Sequence, residues 1–213
     1  CPSSTWAVHW QLCSSPHRTT WHWVFGYFAP PSFERETLVT GLYNLAVERG
    51  WPRASRNTIK RDVECFLRSY VGKPPTGKLA VDDALESPLA ELGLIRSTGK
   101  RDGFRMVRGA KRSLGDGVFA HAVIDFWRGR TTAKSLSFEA LAFEPGSPGR
   151  VFQLDQDDLT QRLMDLHETT GNLLRWSETA GLKQLFRNID LTAEHSIEAL
   201  SLDYESQPER ETA

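Results

Sequence analysis

Cysteine is scarce in this chain. Cys1, Cys13 and Cys65 are the only three in 213 residues, and none falls in a Cys-x-x-Cys spacing. That excludes a disulfide framework and the common zinc sites, and fits thiols kept in a reducing, cytoplasmic compartment. Long apolar runs are also missing. Charges interrupt every one before the roughly eighteen residues a membrane span needs. The GxxxxGK[ST] phosphate loop is absent. So is an excess of one charge: 26 Lys and Arg against 27 Asp and Glu give a net −1. The opening residues carry tryptophans and histidines, not a basic start with an apolar stretch, so no signal peptide is expected. The chain begins at Cys1-Pro2 without Met and is expected to be the C-terminal portion of a longer protein.

What remains is material for a folded core, with 39% hydrophobic and 10% aromatic residues. The balanced net charge hides an asymmetry. Arg49 to Arg112 holds 15 Lys and Arg against 7 Asp and Glu, whereas Gln153 to the end holds 5 against 13. A basic block with helical patterning is a candidate phosphate-facing surface, or else a solvated helix face. Residues 191–213 read as an acidic, flexible tail.

Apolar spacing predicts helices over Thr5 to Leu12, over the aromatic run His17 to Phe28, and after an N-cap at Ser32. The last of these carries Leu38, Leu42, Leu45 and Ala46 and stops at Gly50. Ser55 opens a helix with an inward stripe of Ile59, Val63, Phe66, Leu67 and Tyr70. A helix over Asp82 to Leu94 follows, then strands at Leu94 to Ser97 and Phe104 to Arg108. A basic hairpin tip, Thr98 to Gly103, joins those strands. In the second half, helices are expected at Val118 to Trp127, Ser137 to Phe143, and from Asp155 to Glu168. A strand at Leu173 to Trp176 and a last helix at Thr179 to Phe186 complete the pattern. The fold class is mainly α with short β-hairpins (α+β), as tandem winged-helix-like or helix-turn-helix units. The expected domains are 1–112, 113–190 and the tail 191–213.

The turn Gly50-Trp51-Pro52 between two helices is the helix-turn-helix arrangement. The apolar stripe pushes Arg56, Asn57, Lys60 and Arg61 outward, and Arg and Asn are side chains that pair with base edges. Lys100 and Arg101 at the hairpin tip, with Arg105 beyond it, form a candidate wing for phosphate contact. Winged helices also serve as protein-interaction modules. Gly146 to Arg150 could face backbone N–H groups toward an anion beside Arg150, or be a plain loop.

Catalytic signals are weaker. Asp62 and Glu64 are the candidate carboxylates for a divalent metal, Mg or Mn, that would activate water. Lys60 and Glu64 also have the spacing of an ordinary i, i+4 ion pair. His9 and His22, among tryptophans, read as satisfied core histidines, and Tyr70 as core.

Several strings in one order carry a resemblance: Trp6 to Leu12, Asn57 to Val71, Ser87 to Ile95, Ala120 to Trp127, Gly146 to Phe152, and Ser177 to Leu182. Together they resemble the SspB family, over roughly Trp6 to Arg187. The resemblance implies a DNA-nicking endonuclease component of a bacterial DNA phosphorothioation and anti-phage defence system. Double-stranded DNA would be its substrate. A cysteine desulfurase, an ATPase and a sulfur-activating protein would be its partners. Two alternatives stay open: a non-catalytic DNA-binding or assembly module for the sulfur-transfer machinery, and a winged-helix transcription regulator.

Overall fold

The computed structural model describes residues 2–28, 30–50, 55–71, 87–100 and 102–205. Among them the chain is α+β, with helices and two three-stranded antiparallel sheets. It divides into a continuous unit, Leu12–Arg108, and a discontinuous unit made of Cys1–Gln11 with Gly109–Ala213. No helix among the described residues is long and apolar enough to cross a membrane.

The N-terminal helix α1 (Pro2–Ser14) contributes residues to both units. The continuous unit then contains α2 (Thr19–Gly26), β1 (Ser32–Glu34), α3 (Arg35–Glu48), α4 (Arg56–Tyr70), a 3-10 turn (Pro88–Leu92), β2 (Ile95–Ser97) and β3 (Gly103–Met106). Its core is aromatic. Phe25 lies 5.8 Å from Phe66 and 5.0 Å from Tyr70, ring centre to ring centre, and Trp21 meets Phe66 edge-on at 5.6 Å. Each such ring stabilises the unit by about 1.5–3 kcal/mol on burial. The sheet order is β1-β3-β2.

Ser32 does not cap a helix. It begins β1, because Phe33 is drawn into the sheet to stack on Phe104 at 5.8 Å, and α3 starts three residues later with Glu34 as its N-cap residue. The expected helix over Asp82 to Leu94 has only its end within the described residues. That end is the 3-10 turn, with Leu89 and Leu92 buried. The segment Gly72 to Gly77, whose Gly and Pro residues predict a loop, lies outside the described residues.

The discontinuous unit adds α5 (Asp116–Arg128), β4 (Ser135–Ser137), α6 (Phe138–Phe143), α7 (Pro148–Val151), α8 (Gln156–Thr169), β5 (Leu174–Thr179), β6 (Leu182–Arg187) and α9 (Ala193–Glu205). Its sheet order is β4-β6-β5. The start of α1 is anchored here by tryptophans. Trp6 donates to Ser113 Oγ at 3.1 Å, Trp10 donates to Asp125 Oδ2 at 3.1 Å, and both rings pack on Phe152. Arg162 of α8 bonds Asp158, Asp116 and the Lys111 carbonyl, and lies 5.7 Å from the Phe119 ring centre.

Two expectations fail in this unit. Thr179 to Phe186 is not a helix but the turn and second strand of a hairpin. Ala180 and Gly181 both take positive φ, which gives a two-residue turn and pairs Thr179 with Leu182. Leu182, Leu185 and Phe186 imitate helical spacing, yet only Leu185 is buried, as strand alternation requires. The segment read as an acidic tail holds α9, whose Ser196 and Ala199 are buried.

Both units repeat one order: helix, strand, helix, helix, strand, strand, with the last strand paired between the other two. The short α7 is an insertion in the second copy. The boundary between units falls at Arg108/Gly109, where 112/113 was expected, and the opening residues join the second copy.

Candidate nucleic-acid interface

Helix α4 starts where Ser55 Oγ accepts the Thr58 N–H at 3.1 Å. Its stripe of Ile59, Val63, Phe66, Leu67 and Tyr70 is buried, as the spacing predicts. That fixes the opposite face: Asn57, Lys60, Arg61 and Asp62 are all exposed. Asn57, Lys60 and Arg61 are neighbours at i, i+3, i+4, forming one basic and amide patch. Arg56 is turned aside. It pairs with Glu36 of α3 and donates to Thr40 Oγ1 at 3.2 Å, so it ties two helices together.

Glu64 is not paired with Lys60. Arg35, at the first position of α3, reaches Glu64 Oε1 at 3.2 Å and Asp102 Oδ1 at 3.1 Å. One guanidinium thus joins the basic helix to the hairpin tip. Asp62 and Glu64 are two residues apart, about 200° around the helix, so they do not converge on one ion. No group of three or more His, Cys, Asp and Glu side chains among the described residues could hold a metal. The two carboxylates therefore do not fit as joint ligands of Mg or Mn.

The hairpin tip turns at Gly99 and Asp102, both at positive φ, with the Gly103 N–H donating to the Lys100 carbonyl at 3.1 Å. Lys100 is exposed there; Arg101 lies outside the described residues. Arg105 is exposed on β3, directly opposite Arg96 of β2. Arg96 was missed in the sequence. Only the register of the hairpin shows that it faces Arg105.

The segment Gly146 to Arg150 leads into α7, where the Ser147 N–H bonds the Glu144 carbonyl and the Arg150 N–H bonds the Ser147 carbonyl. A side chain at Gly149 would stand within 2.9 Å of the Leu141 and Ala142 carbonyls, so this glycine serves the contact of α7 with α6. Arg150 donates to the Phe143 carbonyl at 3.4 Å.

His9, Cys13 and Tyr70 belong to the core. His9 is buried against the Val151 carbonyl at 2.9 Å, and burial lowers its pKa to about 4. His22 bonds the Cys13 carbonyl at 2.6 Å. Burial raises both the Cys13 thiol and the Tyr70 phenol, so neither is a ready nucleophile.

A family model described as "Protein of unknown function (DUF4007)" matches residues 1–203. No curated protein matches the sequence. A magnesium ion-bound SspB crystal structure is similar with a TM-score of 0.81 and 27% identity, over 99% of this chain and 63% of that one. A second SspB crystal structure is similar with a TM-score of 0.81 and 28% identity, over 98% and 62%. The chain thus spans under two thirds of the SspB chains it matches. With the family match running nearly end to end and this fold shared with SspB, the chain belongs to the DUF4007 family, whose SspB-like architecture it carries.

Proposed function

We propose that this protein is the DNA-contacting part of an SspB-like nicking component in a bacterial DNA phosphorothioation and defence system. The observation that carries the reading is α4: its apolar stripe is buried, which leaves Asn57, Lys60 and Arg61 on an exposed face. The order helix, strand, helix, helix, hairpin supports a winged-helix assignment for each unit, with α4 as recognition helix and the β2–β3 hairpin as wing. Lys60, Arg61, Lys100 and Arg101 would neutralise phosphates, and Asn57 would approach a base edge. The equivalent helix of the second unit, α8, exposes Asp157, Asp165 and Glu168, so DNA contact is assigned to the first unit alone. Cysteine desulfurase, ATPase and sulfur-activating partners enter through the likeness to SspB.

Single-strand cleavage of the bound duplex is part of this proposal. No step is assigned through a metal, because Asp62 and Glu64 do not share a site; magnesium is named for the similar SspB structure. A plasmid assay tests the reading: conversion of supercoiled DNA to open circle with magnesium present marks a nickase. Binding that leaves the plasmid supercoiled marks the second reading, a non-catalytic recruiting module. The engagement of Glu64 with Arg35 favours that second reading for this chain by itself.

A further inference from the structure

The outer face of the first sheet carries two like charges side by side. Arg96 of β2 and Arg105 of β3 are cross-strand partners. The Val107 N–H bonds the Leu94 carbonyl at 2.9 Å, and the Thr98 N–H bonds the Gly103 carbonyl at 3.0 Å. These bonds, two positions to either side, make Arg96 and Arg105 a hydrogen-bonded pair, with Cα atoms roughly 5.5 Å apart. Ser32 of β1 faces Arg105 from its other side, which completes a row across all three strands. All three residues are exposed, while their strand neighbours Phe33, Ile95 and Phe104 are buried.

Like charges directly opposite each other destabilise a sheet. Arg35, Arg56, Arg130, Arg162 and Arg187 each lie beside a carboxylate. Arg96 and Arg105 have none within 4 Å among the described residues. Their strands would be held equally well by neutral polar side chains, since the buried neighbours do the packing. Two guanidinium forks and a hydroxyl on one flat face are the donors a phosphate oxygen pair accepts, and an anion there converts repulsion into bridging.

We propose that Arg96, Arg105 and Ser32 hold one backbone phosphate of DNA on the outer face of the β1-β3-β2 sheet. This rests on the nucleic-acid reading of the unit and adds the sheet face to it as a second grip. The contact is to backbone, so it positions the duplex without selecting sequence.

The test is a salt titration of affinity for a short duplex, with Arg96→Gln, Arg105→Gln and the double variant, alongside thermal unfolding without DNA. Each single variant is expected to lower the slope of log affinity against log salt by about 1. The double variant should lose little more than either single, because both side chains grip one phosphate. Arg96→Lys should keep the slope. Without DNA, Arg96→Gln should hold or raise Tm; a fall in Tm would mark a structural arginine and overturn the proposal. Unchanged slopes in both single variants would also overturn it. If inorganic phosphate then raised the Tm of the parent but not of Arg96→Gln, the ligand would be a free phosphate and not DNA. Should Lys60→Glu with Arg61→Glu leave duplex affinity untouched while Arg96→Gln reduces it, the helix reading fails and the sheet site stands.

Discussion

Asp203 caps Gly117. Its Oδ1 accepts the Gly117 N–H at 3.0 Å and its Oδ2 accepts the Val118 N–H at 2.9 Å, so a carboxylate near the end of α9 satisfies the first turn of α5. A side chain at Gly117 would stand 2.5 Å from the Ala199 carbonyl and 3.0 Å from Asp203 Cγ, and its absence lets α9 come this close. Asp203→Ala is expected to lower stability by about 1–2 kcal/mol, read from the urea midpoint at constant slope. Gly117→Ala should also destabilise, and the double variant should fall short of the sum, because both act on one contact.

His9 sets an acid limit on the discontinuous unit. Its folded pKa is about 4 against an ordinary 6.5, so between these values the unfolded chain takes up a proton that the folded chain refuses. Stability is therefore full above about pH 6.5 and declines as pH falls toward about 4, by about 3 kcal/mol in total. Equilibrium unfolding across that range in the parent and in His9→Gln checks this. The variant is less stable at neutral pH, but its profile should be flatter.

Reversing Lys60 and Arg61 to glutamate should weaken duplex binding by at least tenfold at low salt, with little change in Tm, since both side chains are exposed. Fluorescence anisotropy with a labelled duplex reads the affinity. Affinity equal to the parent's would remove α4 from the interface.

Asp62 and Glu64 should behave differently from each other. Glu64→Gln loosens Arg35, which then keeps only Asp102, and is expected to cost about 1 kcal/mol or less, since the pair is partly exposed. Asp62→Asn should be neutral in stability. If the protein nicks plasmid DNA, loss of nicking with retained binding in Asp62→Asn would give that carboxylate a chemical role. Full activity in both variants would place the chemistry elsewhere.

The helices with a clear apolar stripe were legible. The stripe of α4 and its Ser55 cap follow directly from residue spacing, as does α5, which buries Phe119, Val123 and Trp127. The short strands were harder. β1 has three residues and one buried side chain, so Phe33 could not announce itself before its partner Phe104 was in place. The β5–β6 turn uses Ala180 at positive φ, an unusual residue for a tight hairpin, so no sequence signal marked it. α9 was hidden because its docking depends on Asp203, an acidic residue in a segment whose composition reads as solvated. At the candidate interface, the outward residues of α4 could be found from the helix alone. The Arg96–Arg105 pairing and the diversion of Glu64 to Arg35 depend on contacts between elements far apart in sequence.

Arg35 gives the first unit a mechanical property. By holding Glu64 with one nitrogen and Asp102 with another, it ties the basic helix to the hairpin tip. Groups tied together beforehand lose less freedom on binding, so Arg35→Gln is expected to lower duplex affinity modestly, read by the same anisotropy titration.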